Sequence, residues 1–465
     1  MVLKRQYGME QPGIKFGPFV VRIPFIHYRI EISEFLQGLI MCSTCLGAIP
    51  IMTDILGIPF EIAWGMVIIN GFLYTLHATF GDPVVPGWIT PSIPLTIAFL
   101  TTFPEGPQRI QALIAMQLLV AIIFFIMGLT GIASKLLSIV PSSIKAGILM
   151  GAGFAATMGE FNKGKRFELT PWTIGIGAIV AYYLLFSEQF KEMRKRYKFW
   201  DKIGGFGMLP AVLIAVILGP IFGEFQIPTV EFWPLFKVPD FTAIFNTMSP
   251  FAIGWPSAEV FIKAIPMSIV VYIIAFGDFV TSEALLHDAT VMRPDEKIVF
   301  NANRSNLISG IRNLIESLFC AYPTLAGPLW AAVTASVSER YKEGPEKMES
   351  IYSGVGTFRW TTFLSVALVP IVTFVQPILP AALSLTLLVQ GFICVRLAVD
   401  MAETEIDKGV AGVMGAIIAS RGAAWGLGVG ILLYFILTSR KSRKNEKKVN
   451  LEEIAEATKE IDFHC

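Results

Sequence analysis

About 14 apolar runs, parted by short polar stretches, fill most of this 465-residue chain and leave it one architecture, a stack of membrane-crossing segments. The runs fall near 34–56, 58–77, 83–101, 110–132, 142–159, 171–187 and 206–223. A second set falls near 265–287, 299–320, 323–338, 357–376, 378–399, 408–420 and 422–439. They are continuous rather than alternating, which excludes a β-barrel. Charged residues make up only 16% of the chain and mean hydropathy is +0.62, so an ordinary soluble surface could not be covered. The net charge of +1 gives no electrostatic footprint for a nucleic acid. The expected fold class is an all-α polytopic membrane protein whose first partner is the lipid bilayer.

The longest polar stretch, 224–264, separates two sets of seven runs. Two halves with an odd number of crossings enter the membrane from opposite sides, so the reading is a 7+7 inverted repeat. The expected units are an N-terminal cytoplasmic segment 1–33, a first repeat 34–223, an external linker 224–264, a second repeat 265–439 and a basic cytoplasmic tail 440–465. Basic clusters follow the even-numbered runs: Lys191, Arg194, Lys195, Arg196; then Arg293, Lys297, Arg304; then Arg340, Lys342, Lys347. By the positive-inside rule both termini are expected in the cytoplasm, in a plasma (inner) membrane. Lys163, Lys165 and Arg166 dissent from that pattern. No cleavable signal peptide is expected, because the first 30 residues lack a long apolar stretch.

The third run of each half is interrupted in the same way. Pro83 precedes Gly87 by four positions, and Pro323 precedes Gly327 by four. Proline blocks a helix and glycine permits unusual dihedrals, so each run is expected to hold extended backbone and then a half-helix. Such backbone is tolerable at membrane depth only where it is buried or lines a cavity. Two half-helix N-termini would then aim free N–H groups at one point, which suits a carboxylate, an oxyanion or a polar ring. Thr324, Thr90, Thr334 and Ser336 flank that point, and Trp88 and Trp330 are candidates for a ring wall or an aromatic belt.

Asp278 is the most informative ionisable residue. It lies about 14 residues into its run, roughly 20 Å at helical rise, near the middle of an apolar core about 30 Å thick. A carboxylate there is expensive and marks a functional site: it takes a proton, a cation or a donor from a solute. Ser282 lies one turn on along the same face. Glu283 points elsewhere on a regular helix but remains a candidate, as does Gln37 near the start of the first run. Arg312 and Glu316, spaced i,i+4, read as an intrahelical ion pair. His77 and Asp82 read as interfacial. Cys42 and Cys45 form a C-x-x-C that lacks further ligands and reads as packing, so no metal and no cofactor is expected beyond a coupling H+ or Na+. Phe276-Gly277-Asp278 approaches the G-x-G-D of intramembrane aspartyl proteases, but Ala275 and the lack of a second carboxylate motif argue against an enzyme.

The order of features resembles the uracil and xanthine permeases and the related sulfate permeases. FLQGLIMCSTCLGAIP is similar to their opening helix, and PSSIKAGILMGAGF to their fifth. Asp278 stands where nucleobase permeases carry a base-contacting Glu, and Ser282 where uracil permeases carry a His. FNANRSNLISGIRNLIESLFCAYPT resembles their N-R-x-x-L-x-x-G approach, through Asn303, Arg304, Leu307 and Gly310. The resemblance implies 14 spans, short β-strands in broken spans 3 and 10, and a core domain (spans 1–4 and 8–11) moving against a gate domain (5–7 and 12–14). It also implies elevator-type transport, proton or sodium coupling, and a homodimer. The leading expectation is a secondary active transporter of a small polar or anionic solute. Asp278, Ser282, Glu283, Gln37, Pro83, Gly87, Trp88, Pro323, Thr324 and Gly327 would bind or couple. The alternative is a passive channel or uncoupled facilitator on the same scaffold.

Overall fold

Helix boundaries follow local chemistry. Asn301 and Ser257 accept hydrogen bonds from the amides of Arg304 and Val260, so each caps a helix start. Thr404 and Asp407 form a reciprocal capping box. Gly57 and Gly131 take left-handed conformations that end the helices before them. The computed structural model describes residues 3–133, 140–162, 165–205 and 209–438. The expected basic tail 440–465 and Lys163 lie outside the described residues.

The chain opens with a hairpin, β1 (Ile14–Phe16) and β2 (Phe19–Val21), followed by α1 (Ile32–Leu46), α2 (Ala48–Leu56) and α3 (Phe60–Thr79). A two-residue strand β3 (Gly87–Trp88) leads into α4 (Ile93–Leu100) and α5 (Pro107–Thr130). Then come α6 (Ser142–Phe161), α7 (Pro171–Phe186), α8 (Glu188–Arg196) and α9 (Leu209–Ile221). After 224–257, which holds only short helices, come the long α10 (Ala258–Met292) and α11 (Ala302–Phe319). Strand β4 (Ala326–Gly327), α12 (Ala331–Lys342), α13 (Ile351–Val366), α14 (Leu379–Met401), α15 (Glu405–Arg421) and α16 (Ala423–Leu437) complete it.

Five described helical stretches are long and apolar enough to cross a membrane: Ile32–Leu56, Phe60–Thr79, Pro107–Thr130, Ala258–Met292 and Val369–Met401. A sixth forms if the pair α7–α8, bent by 60°, is one span. The other apolar runs yield shorter or more polar helices. The physical reason is visible in α11, which buries Arg304, Arg312, Asn313 and Glu316 and so is polar in composition while lying deep in the protein.

The helices sort by packing partner into two bundles. In one, α1 and α3 pack on α13, α5 on α10 and α11, and α10 on α12. In the other, α6 packs on α14, α15 and α16, and α7 on α9 and α14. Helix α4 leans on α6 and so lies between the two.

The N-terminal segment is bound to the first bundle alone among its described hydrogen bonds. Arg22, 1% exposed, pairs with Glu10 at 2.7 Å and lies 3.9 Å over the Tyr352 ring. Arg5 donates to Asp295 at 2.7 Å. Hydrogen bonds from Arg293, reinforced by Arg5, hold the Asp295 carboxyl below its ordinary pKa.

Candidate functional site

The two interrupted segments meet. β3 and β4 pair antiparallel, Gly87 opposite Gly327 and Trp88 opposite Ala326. Outside the strands, Trp330 N donates to Val85 O at 2.6 Å and Val85 N donates to Thr334 Oγ1 at 3.1 Å. Both glycines are required by the close approach. A Cβ on Gly327 would lie 2.8 Å from the Trp88 carbonyl carbon, and one on Gly87 would lie 2.7 Å from Leu329 O. Leu325 beside them adopts φ 54, a strained value for a branched residue. Beyond the crossing, α12 starts at Ala331 and α4 at Ile93, after a 3-10 turn at Thr90–Ser92. The first-turn amides of both half-helices therefore begin next to the crossing. Gly327→Ala is expected to push the strands apart and cost about 2–4 kcal/mol of stability, a loss typical of strain at a packed site. A thermal unfolding midpoint equal to that of the parent would contradict this.

Helix α11 braces the crossing. Asn313 acts as a third strand: its Oδ1 accepts from Ala326 N at 3.0 Å and its Nδ2 donates to Ala326 O at 2.9 Å. Arg312 donates to Gly327 O at 3.0 Å. Gln117 of α5 accepts from Tyr322 N at 2.9 Å and donates to Glu316 at 2.7 Å.

Two expectations are corrected here. Arg312 and Glu316 do not pair with each other. Glu316 accepts from Asn70 at 2.6 Å and from Gln117, while Arg312 reaches Gly327 O and His77. Inter-helix partners outcompete the i,i+4 contact because both side chains are wholly buried between α3, α5 and the crossing. His77 and Asp82 are not interfacial: both are 0% exposed and 2.8 Å apart, and Ser305 donates to Asp82 at 2.6 Å. The chain Arg312–His77–Asp82–Ser305 thus runs along the α3–α11 contact.

Arg359 of α13 is the residue that the sequence reading missed. It is 0% exposed and lies beside the Cys45 thiol, and no carboxylate or other oxygen accepts from its three guanidinium nitrogens among the described residues. Its guanidinium carbon lies 4.1 Å from the Tyr74 ring centroid and 5.1 Å from that of Trp330, the residue preceding α12. Arg312 also lies over the Tyr74 ring, its guanidinium carbon 4.4 Å from the centroid. Two cations gathered at one ring without a carboxylate between them are the chemistry that attracts an anion. The signal was present in the sequence as a lone arginine inside the apolar run 357–376.

The expected site residues divide between the crossing and α10. Pro83, Gly87, Pro323, Thr324 and Gly327 are buried in the crossing, and Thr324 Oγ1 and Trp88 Nε1 are buried without a partner among the described residues. Asp278 is half-buried on α10, which packs against α12 and against the turn leading into α4. No described hydrogen bond to its carboxylate is seen. Ser282 is buried and donates to the Asp278 main-chain oxygen at 2.7 Å, so its proton is turned into its own helix. Glu283 is half-buried and engaged in a contact. Gln37 donates to Ser336 of α12 at 3.2 Å, at an exposed position. Among the described residues no group of three or more His, Cys, Asp or Glu could hold a metal ion.

No protein-family model matches the chain. It is 25% identical over 403 residues to the benzoate membrane transport protein of Acinetobacter baylyi, covering 82% of this chain and 87% of that one. Its structure is similar to murine Solute Carrier 26 family member A9, an anion transporter in the inward-facing state. That match has a TM-score of 0.51 and 12% identity, over 89% of this chain and 70% of that one. The transmembrane domain of a cyanobacterium bicarbonate transporter, BicA, gives a TM-score of 0.49 and 14% identity, over 88% of this chain and 98% of that domain. The chain thus shares the transmembrane fold of the Solute Carrier 26 member, and the relative it matches in sequence is a membrane transport protein.

Proposed function

We propose that the protein is a secondary transporter that carries a small organic carboxylate or similar anion across the membrane. One observation carries the reading: the buried guanidinium of Arg359, without a carboxylate partner among the described residues and set between Tyr74 and Trp330 beside the start of α12. A cation desolvated at that depth is costly unless an anion completes it. An anion there also gains the amides and dipole of the half-helix. The relatives support the same chemistry, being a benzoate transport protein and an anion transporter by name. On this reading the spans number about 14 in a 7+7 inverted repeat, with both termini cytoplasmic. The bundle holding Arg359 moves past the other, elevator-fashion, in a homodimer. Asp278 is the coupling group for H+ or Na+. A passive channel remains the competing reading, and Asp278 separates the two, as argued below.

Ligand-induced stabilisation tests the solute class. Purified protein is heated with benzoate, succinate, bicarbonate, sulfate or uracil in turn. A true ligand at about 100 times its Kd adds about 2.7 kcal/mol of stability. Stabilisation by a carboxylate and not by uracil is the expected result. Stabilisation by uracil alone would overturn the anion reading.

A further inference from the structure

We propose that Asp54 and Arg166 form a latch that closes the gap between the two bundles on the face opposite the N-terminal segment, and that it opens each time the carrier turns over. The inference rests on the carrier reading above, since only a protein whose bundles move needs such a latch. Asp54 lies near the far end of the 25-residue stretch Ile32–Leu56, whose start is held by the N-terminal segment. It therefore sits on the opposite face of the first bundle. Arg166 lies just after α6, in the second bundle, and its NH1 is 3.5 Å from Asp54 Oδ2. Beside this contact α2 packs directly on α14.

The asymmetry of the partners marks which bond is made to break. Arg166 is anchored in its own bundle: it pairs with Glu160, 1% exposed, at 2.5 Å through NH2, and its Nε lies 3.1 Å from Ser384 of α14. Ser384 also donates to Glu160 at 2.5 Å. Pulling Arg166 from Glu160 would leave a buried carboxylate without its counter-charge, held by Ser384 alone. The Asp54 contact is different. It is longer, Asp54 is 43% exposed, and Thr53 Oγ1 already donates to Asp54 Oδ1 at 3.0 Å. If it parts, Asp54 keeps Thr53 and water, and Arg166 keeps Glu160 and Ser384. Such a pair biases an equilibrium between closed and open without locking it.

The test measures the gap itself. Spin labels are placed by Glu105→Cys, in the loop before α5, and Leu169→Cys, before α7, both exposed and one in each bundle. Distances are recorded in full-length protein in nanodiscs. Asp54→Ala is expected to raise the longer-distance population about two- to fivefold, the range an exposed ion pair supports. Asp54→Asn should act in the same direction. High salt should produce a similar shift in the parent and none in Asp54→Ala, because an exposed pair is screened. Two populations that neither the substitutions nor salt alter would overturn the latch and leave the carrier reading standing. A single distance in every variant, unchanged by benzoate, would overturn both.

Discussion

Arg359→Met is expected to abolish solute binding while leaving the protein at least as resistant to heat as the parent. Most buried arginines would behave differently, because their removal strands a carboxylate. Arg359 has no carboxylate partner to strand among the described residues, and its neighbour is the neutral Cys45 thiol. The substitution forfeits stacking on Tyr74 and Trp330, about 0.5–2 kcal/mol. Against that, it relieves the desolvation of an unpaired ion, several kcal/mol by most accounts. For the bound solute the balance reverses. Losing a desolvated, hydrogen-bonded charge costs about 2–5 kcal/mol, or roughly 30- to 4000-fold in affinity. Arg359→Lys keeps the charge but loses the planar fork, and should fall between. Uptake and thermal unfolding measured on the same preparations decide the matter. Retained uptake, or collapse of the fold, would show that Arg359 serves the structure instead.

Asp278→Asn is expected to remove accumulation against a gradient while sparing solute exchange. The carboxylate is half-buried on a helix that borders both half-helices, and no described donor satisfies it. A carboxylate so placed takes up a proton or a cation in order to cross a low-dielectric region; an amide does neither. In reconstituted vesicles with an imposed proton or sodium gradient, the internal-to-external solute ratio should therefore fall to about 1, because binding is no longer linked to a second ion. Counterflow of labelled for unlabelled solute should persist. Undiminished accumulation would remove Asp278 from the coupling step. A parent protein that never accumulates solute would favour the channel.

The crossing was legible because its signals are local. Proline and glycine at matched spacing announce extended backbone, and hydropathy shows that it lies at membrane depth. That the two segments meet was implied by the resemblance to the permeases, whereas the register that sets Gly87 opposite Gly327 needed the fold. Asp278 was legible because a carboxylate in an apolar run has no ordinary explanation. Arg359 carries the same kind of signal, yet it lies three residues into an expected span, where a basic side chain passes for an interfacial one. The structure instead begins that helix at Ile351, which puts Arg359 in its interior. His77 and Asp82 were misplaced for the related reason that a run's edge in sequence is not a membrane's edge in space. Arg312 and Glu316 were paired by spacing alone, and spacing says nothing of Asn70, Gln117 and Gly327 arriving from other elements.

The strand pair also dictates an order of assembly. Val85 and Thr334, which bond across the crossing, are 249 positions apart. During synthesis, Pro83 to Trp88 must wait in or near the bilayer with their peptide groups unmet until β4 and α12 emerge. A chain stopped after the first seven runs would carry that debt permanently. The crossing thus forms only once Thr334 has emerged, and a nascent fragment that ends earlier has no version of it.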